Sequence, residues 1–338
     1  MKKISFLLIG VCLLLLTGCQ VGKDKNIVDK LSQQMNQSKG YVMNAKLSIV
    51  NNDDIYYYDV EAAYQKEDYY KVRLVNTTNG HEQIILKNND GVYLLTPSLN
   101  KSFKFQSQWP YNNSQIYLLQ SIVNDIKTDK DVSIKQKNKK YIVQSKVNYP
   151  NNRKLVIQEV RFSDKLALEK VIVSTDADVP KMTLTVKSID YSPKFKKDYF
   201  KLDAIMQSSD DNSDTKQEEK TTETTSIQDI IYPLVLPAGT KLKSEEKVNK
   251  NDGERVILTF DGDKPFLLVE ETVKAEDEFT IIPTMGEPYM FMDTIGALST
   301  NSLTFTSGNM EYYLVSDVMN QDELIEVASS INVLPTMK

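Results

Sequence analysis

The sequence predicts an α+β protein: a strongly curved antiparallel sheet with helices on its concave face, followed by a small C-terminal α+β domain. Three observations carry this. Residues 27–206 alternate apolar and polar side chains in many short runs, interrupted by two stretches at helical spacing. Residues 207–226, QSSDDNSDTKQEEKTTETTS, hold no aliphatic or aromatic residue. Such a stretch buries too little apolar surface to offset its ordering entropy, so it reads as a disordered acidic linker. Residues 227–338 then return to short strand-like pairs and close on a capped helix.

In the first unit, Ile27, Val28, Leu31 and Met35 share one face of a helix that Gly40 ends. From Tyr41 to Ile49 the odd positions are apolar, the period-two mark of a half-buried strand. Tyr56, Tyr58 and Val60 repeat it, as do Tyr70, Val72 and Leu74. Shorter strands are expected over 83–86, 92–95 and 102–105, with Asn88-Asn89-Asp90-Gly91 turning between two of them. A second helix is expected from about Ser114, with Leu119, Ile122, Val123 and Ile126 on one face. Strands resume over 141–147, 155–162, 166–173 and 182–189. One alternating sign along so many strands argues for a curved sheet with helices against its inner side.

The second unit opens on Leu236-Pro237-Ala238-Gly239. Strands are expected over 255–260 and 266–269, and again over 302–306 and 312–315. Its final helix carries Asn320 as N-cap, Glu323 at the capping-box position, and Leu324, Val327, Ala328 and Ile331 on one side.

The N-terminus reads as an export signal over residues 1–18. Lys2 and Lys3 precede an apolar run, Phe6 to Leu16, that is shorter than the roughly 20 residues a membrane span needs. Leu16, Thr17 and Gly18 before Cys19 resemble the lipobox of bacterial lipoproteins. That resemblance implies a diacylglycerol thioether and palmitate on Cys19, with residues 19–26 as a lipidated tether. The chain would then sit on the extracytoplasmic face of the cell membrane. The two cysteines are Cys12 and Cys19. With one discarded and the other lipidated, the mature chain holds no free thiol and no disulfide, which excludes thiol catalysis and a cysteine-ligated metal.

The order helix, strands, helix, strands resembles the LolA-like lipoprotein carriers and the related RseB-like sensor domains. Gly91-Val92-Tyr93-Leu94-Leu95-Thr96-Pro97 is similar to that family's strand after the central turn. Trp109-Pro110 falls where the family turns into its lid helix. The resemblance covers residues 27–206 and implies a half-barrel around an apolar cavity that takes a lipid, an acyl chain or a protein segment. The candidate lining on the strands is Tyr56, Tyr58, Val60, Tyr70, Val72 and Leu74, with Leu119 and Ile122 from the helix. The same alternation marks any packed core, so these residues either line a cavity or fill one. The two-domain layout, with its Leu-Pro-Ala-Gly start and terminal helix near Asp322, resembles lipoproteins of low-GC Gram-positive bacteria associated with sporulation or germination.

Charge is divided between the units. Residues 23–206 hold 29 Lys and Arg against 21 Asp and Glu, whereas residues 207–338 hold 10 against 25. Lys135, Lys137, Lys139 and Lys140 are candidates for contact with a membrane or another anion, each Lys near anionic lipid contributing about 1 kcal/mol. A solvated basic turn is the plainer reading of the same run. Nucleic acid is not an expected partner outside the cytoplasm.

No catalytic site emerges. The single histidine, His81, follows the turn Thr77-Thr78-Asn79-Gly80. Neighbouring acids such as Asp53-Asp54 and Glu270-Glu271 point to opposite sides of an extended segment and cannot share a proton-transfer task. No cofactor or metal is expected. The sequence therefore predicts a membrane-anchored binding protein for a hydrophobic ligand, in envelope or spore-envelope assembly or germination. The alternative is a non-enzymatic scaffold that holds a cell-wall enzyme or other envelope protein at the membrane.

Overall fold

A computed structural model describes residues 18–331, apart from 52–53, 212–225, 228, 251–252, 274, 277 and 308–309. The leader over residues 1–17, with Leu16 and Thr17, and the linker from residue 212 to 225 lie outside the described residues.

Among the described residues the first element is α1 (Gly18–Gln37), followed by β1 (Gly40–Asn51), β2 (Asp54–Gln65), β3 (Tyr69–Asn76), β4 (Glu82–Asn88), β5 (Gly91–Thr96) and β6 (Lys101–Phe105). After α2 (Leu119–Thr128) come β7 (Ser133–Lys137), β8 (Lys140–Lys146), β9 (Leu155–Phe162), β10 (Leu168–Thr175), β11 (Pro180–Asp190) and α3 (Leu202–Asp211). The second half contains β12 (Thr240–Lys250), β13 (Gly253–Gly262), β14 (Phe266–Thr272), β15 (Thr280–Thr284), β16 (Glu287–Phe291) and β17 (Thr294–Leu298). It closes with β18 (Ser302–Ser307), β19 (Met310–Val315) and α4 (Gln321–Ser329).

The α+β class and the half-barrel with helices on its concave face are as the sequence predicts. One open sheet runs β15-β6-β5-β4-β3-β2-β1-β11-β10-β9-β8-β7, and a seven-stranded sheet runs β12-β13-β14-β19-β18-β17-β16. Alternation decides which side of each strand is buried: Tyr41, Met43, Ala45 and Leu47 of β1 are all at most 1% exposed. Helices α1 and α2 pack together on the concave face, where Leu31 and Ile126 join the same core. The opposite face carries a second cluster, in which Phe200, Ile205 and Met206 cover Ala63, Ile84 and Leu95. The passage from α1 to β1 needs a glycine, because a Cβ at Gly40 would stand 2.6 Å from the Tyr64 carbonyl oxygen.

Several elements differ from the sequence expectation. Helix α2 starts at Leu119, not near Ser114, because Ser114 is taken by the strand end beside it. Its N–H donates to the Asn148 carbonyl at 2.7 Å, and its hydroxyl accepts the Asn148 N–H at 2.8 Å. Residues 19–26 lie within α1, and the first five linker residues within α3. The basic run at 135–140 is the β7–β8 hairpin. Strand β15 belongs to the first sheet although it comes from the last third of the chain: it pairs in parallel with β6, Thr280 opposite Lys101.

Strand register gives the half-barrel two ends. At the near end, where β1 begins, lie the turns joining β7 to β8 and β9 to β10. At the far end, where β1 ends, lie the β1–β2 and β10–β11 turns, since Ile49 pairs with both Tyr56 and Met182.

Candidate functional site

The concave face is occupied by the protein itself. The β16–β17 hairpin enters it from the second sheet, and Ile295 and Ala297 join the core that contains Tyr58, Val72 and Leu119. Polar groups fix the hairpin from both flanks. Tyr58 donates its hydroxyl hydrogen to the Met292 carbonyl at 2.8 Å, and the Asn76 amide donates to the Asp293 carbonyl at 3.3 Å. Gln83 bonds both the N–H and the carbonyl of Ile295. On the other flank, Glu287 is 8% exposed and accepts from the side-chain amides of Asn112, Asn113 and Asn151. Burial raises its carboxyl above the usual range, and the Asn151 and Asn112 amides pull it back down.

The eight expected lining residues lie together in this core. Tyr58, Val60, Tyr70, Val72, Leu74, Leu119 and Ile122 are buried there, and Tyr56 packs half-buried against both sheets' cores. None of the eight is among the residues that line the cleft at the far end of the half-barrel.

Open space lies beyond the hairpin, at that end. A cleft of about 640 Å³ opens between the half-barrel rim, β16 and α4. Ile116, Tyr117, Leu155 and Met182 give it apolar walls, each less than 9% exposed. Arg153, Lys154 and Lys181 stand on the half-barrel side, and Asp322 and Glu326 on the α4 side. Tyr289 connects the sides: Asn152 donates to its hydroxyl, which also feels the Asp322 charge, and burial pushes the phenol up to about 12. Beneath the rim, burial raises Asp125 to about 6, opposed by a hydrogen bond from Ser114.

Sequence reasoning did not single out Glu287, Tyr289, Arg153 or Glu326 as parts of one site. The one signal available was the capping box of α4, which places Asp322 and Glu326 one turn apart, on one side of the helix. Nothing local showed that this side meets the half-barrel.

The four candidate lysines lie at the near end, away from the cleft. Lys135 and Lys137 are exposed on the edge strand β7, Lys139 sits in the turn, and Lys140 pairs with Glu169 at 2.9 Å. Gly18 and Cys19 open α1. His81 follows the β3–β4 turn, its Nε2 buried without a partner, and burial lowers its pKa. Among the described residues no three His, Cys, Asp or Glu side chains come together as metal ligands. No helix among them is long and apolar enough to cross a membrane.

No family model matches the chain. The sporulation protein YdcC of Bacillus subtilis (strain 168) is 34% identical over 332 residues, 98% of this chain and 97% of its own length. The chain belongs to the YdcC family. Among solved structures, this YdcC-family chain is similar to MucB in its Pseudomonas aeruginosa complex with MucA, at 10% identity and TM-score 0.33, over 92% of this chain and 98% of that one. It is also similar to a chain in the complex of the CwlD amidase with the GerS lipoprotein from Clostridioides difficile, at 15% identity and TM-score 0.32, over 50% and 95%. An outer membrane lipoprotein-sorting domain from Vibrio parahaemolyticus matches at 9% identity and TM-score 0.33, over 54% and 97%. At such scores these likenesses add nothing to the architecture of the YdcC-family chain, which stands on its own strand order and register.

Proposed function

We propose that this protein is a non-catalytic, sporulation-related binding protein, held on the extracytoplasmic face of the membrane by lipid on Cys19. Its cleft takes a hydrophobic ligand or a segment of an envelope partner. The observation that carries this reading is the cleft itself: apolar walls and opposed charged rims border an open volume beyond the core that the β16–β17 hairpin joins. The 34% identity to a sporulation protein supports the cellular setting, and the lipobox residues support the anchor.

The scaffold reading has its own support. The β16–β17 hairpin packs into the concave-face core, and the outer face of the second sheet exposes Leu267 and Tyr313 by 39% and 40%. A photo-crosslinking residue at Ile325, in the cleft, and another at Leu267 separate the two in sporulating cells of the native host. Adducts from Ile325 alone support the cleft, and adducts from Leu267 alone support the scaffold. Adducts from neither position would remove both.

A further inference from the structure

The cleft mouth is bordered by apolar side chains that the fold leaves in solvent. Val179 in the β10–β11 turn is 46% exposed. This turn lies at the far end of the sheet beside the end of β1, where Val50 and Lys181 line the cleft. Across the mouth, the segment before β12 exposes Leu234 by 76% and Val235 by 44%. It is held to the end of α4, with the Leu234 N–H on the Ser330 carbonyl at 3.2 Å. Exposed apolar groups around one opening, interspersed with cations, are the chemistry of a surface that settles into a bilayer interface.

We propose that the cleft end docks on a phospholipid surface and admits one zwitterionic headgroup of the ethanolamine type. This deepens the cleft reading above and rests on it. The headgroup phosphate meets Arg153, Lys154 and Lys181, while its ammonium meets Asp322 and Glu326, with the acyl chains leaving along the apolar walls. Charge complementarity selects the headgroup. Glycerol headgroups offer no cation to the acidic side, and choline offers a cation with no N–H to donate. The basic hairpin at 135–140 is at the opposite end of the same sheet, so one protein cannot rest both ends on one flat bilayer.

Two measurements on the full lipidated chain test this. The first is native mass spectrometry from detergent after equilibration with equal amounts of phosphatidylethanolamine, phosphatidylglycerol and phosphatidylcholine. Phosphatidylethanolamine should be retained about tenfold over either competitor, as expected for a charge-assisted contact. Asp322→Asn with Glu326→Gln should abolish that preference, and Arg153→Gln with Lys154→Gln should weaken retention of all three. Retention blind to headgroup overturns the headgroup assignment but leaves a hydrophobic cleft ligand standing. No retention, with partner adducts still forming at Ile325, leaves only a protein segment for the cleft.

The second measurement places a fluorophore at Val179→Cys, Val235→Cys or Lys137→Cys on the chain anchored in vesicles of phosphatidylethanolamine and phosphatidylglycerol. Quenchers on the acyl chains should dim the first two labels several-fold and spare the third. The reverse pattern would overturn the docking geometry.

Discussion

Gln83 grips both sides of one residue in the other half of the protein: its Oε1 accepts the Ile295 N–H at 2.6 Å and its Nε2 donates to the Ile295 carbonyl at 3.0 Å. Oε1 also accepts the Thr294 hydroxyl hydrogen at 3.0 Å. A single side chain thus plays the part of a neighbouring strand for β17, inside a buried interface.

Replacing Gln83 with Leu keeps the volume and removes all three bonds. Two backbone groups of Ile295 are then buried without partners, at a cost of about 2–4 kcal/mol. Urea unfolding should show that loss, and hydrogen exchange at the Ile295 amide should accelerate. A variant as stable as the parent would mean that the hairpin is held by packing alone.

Glu270 gives stability a pH dependence of unusual sign. It is fully buried on β14, and burial lifts its carboxyl from 4.5 to about 7, against a hydrogen bond from the Ile231 N–H at 3.1 Å. The unfolded chain gives up this proton near 4.5 while the folded chain keeps it to about 7. Between those values the unfolded state binds fewer protons, so stability falls as pH rises through the window and is flat in this group's contribution above it. Asp125, lifted to about 6, acts in the same direction. Glu270→Gln should flatten the slope of unfolding free energy between pH 4.5 and 7. An unaltered slope would assign the effect to other groups.

The capping box of α4 is complete, with the Glu323 N–H on Asn320 Oδ1 and the Asn320 N–H on Glu323 Oε2, both at 3.0 Å. Asn320→Ala should cost about 1 kcal/mol, and Asn320→Asp should restore nearly all of it. Because α4 forms one wall of the cleft, the Ala variant should also lower ligand retention. Denaturant titration and native mass spectrometry read the two effects separately.

Cys19→Ser should move the protein from the membrane fraction to the aqueous one and end incorporation of labelled palmitate. Membrane retention without fatty acid would place the anchor elsewhere in the chain.

Legibility differs sharply along the sequence. Strands with one wet and one dry face declared themselves: Val72 and Leu74 alternate with Arg73 and Val75, and the buried and half-exposed positions follow suit. The capping box was readable because its two bonds link residues three apart. The β16–β17 hairpin was not, because it is enclosed on both faces. All five residues of β17 are buried, so no alternation marks it as a strand. Strand β12 was missed for the opposite reason: its residues are almost all exposed, and Lys and Glu fill both sides. The inward direction of Tyr58 and Val72 followed from period two, but the hairpin that meets Tyr58 at Met292 is 234 positions away, where local patterns carry no information.

The distance from Gln83 to Ile295, 212 positions along the chain, bears on how the molecule comes together. A ribosome or translocon delivers the half-barrel strands long before the hairpin that fills them, so the nascent chain holds an uncovered apolar trough while the last third is still being made. Loop closure over such a span is slow, and an open trough invites wrong partners in the interval. The finishing segment is therefore also a timer: until residue 298 arrives, the first two-thirds depend on a chaperone or on their own solubility.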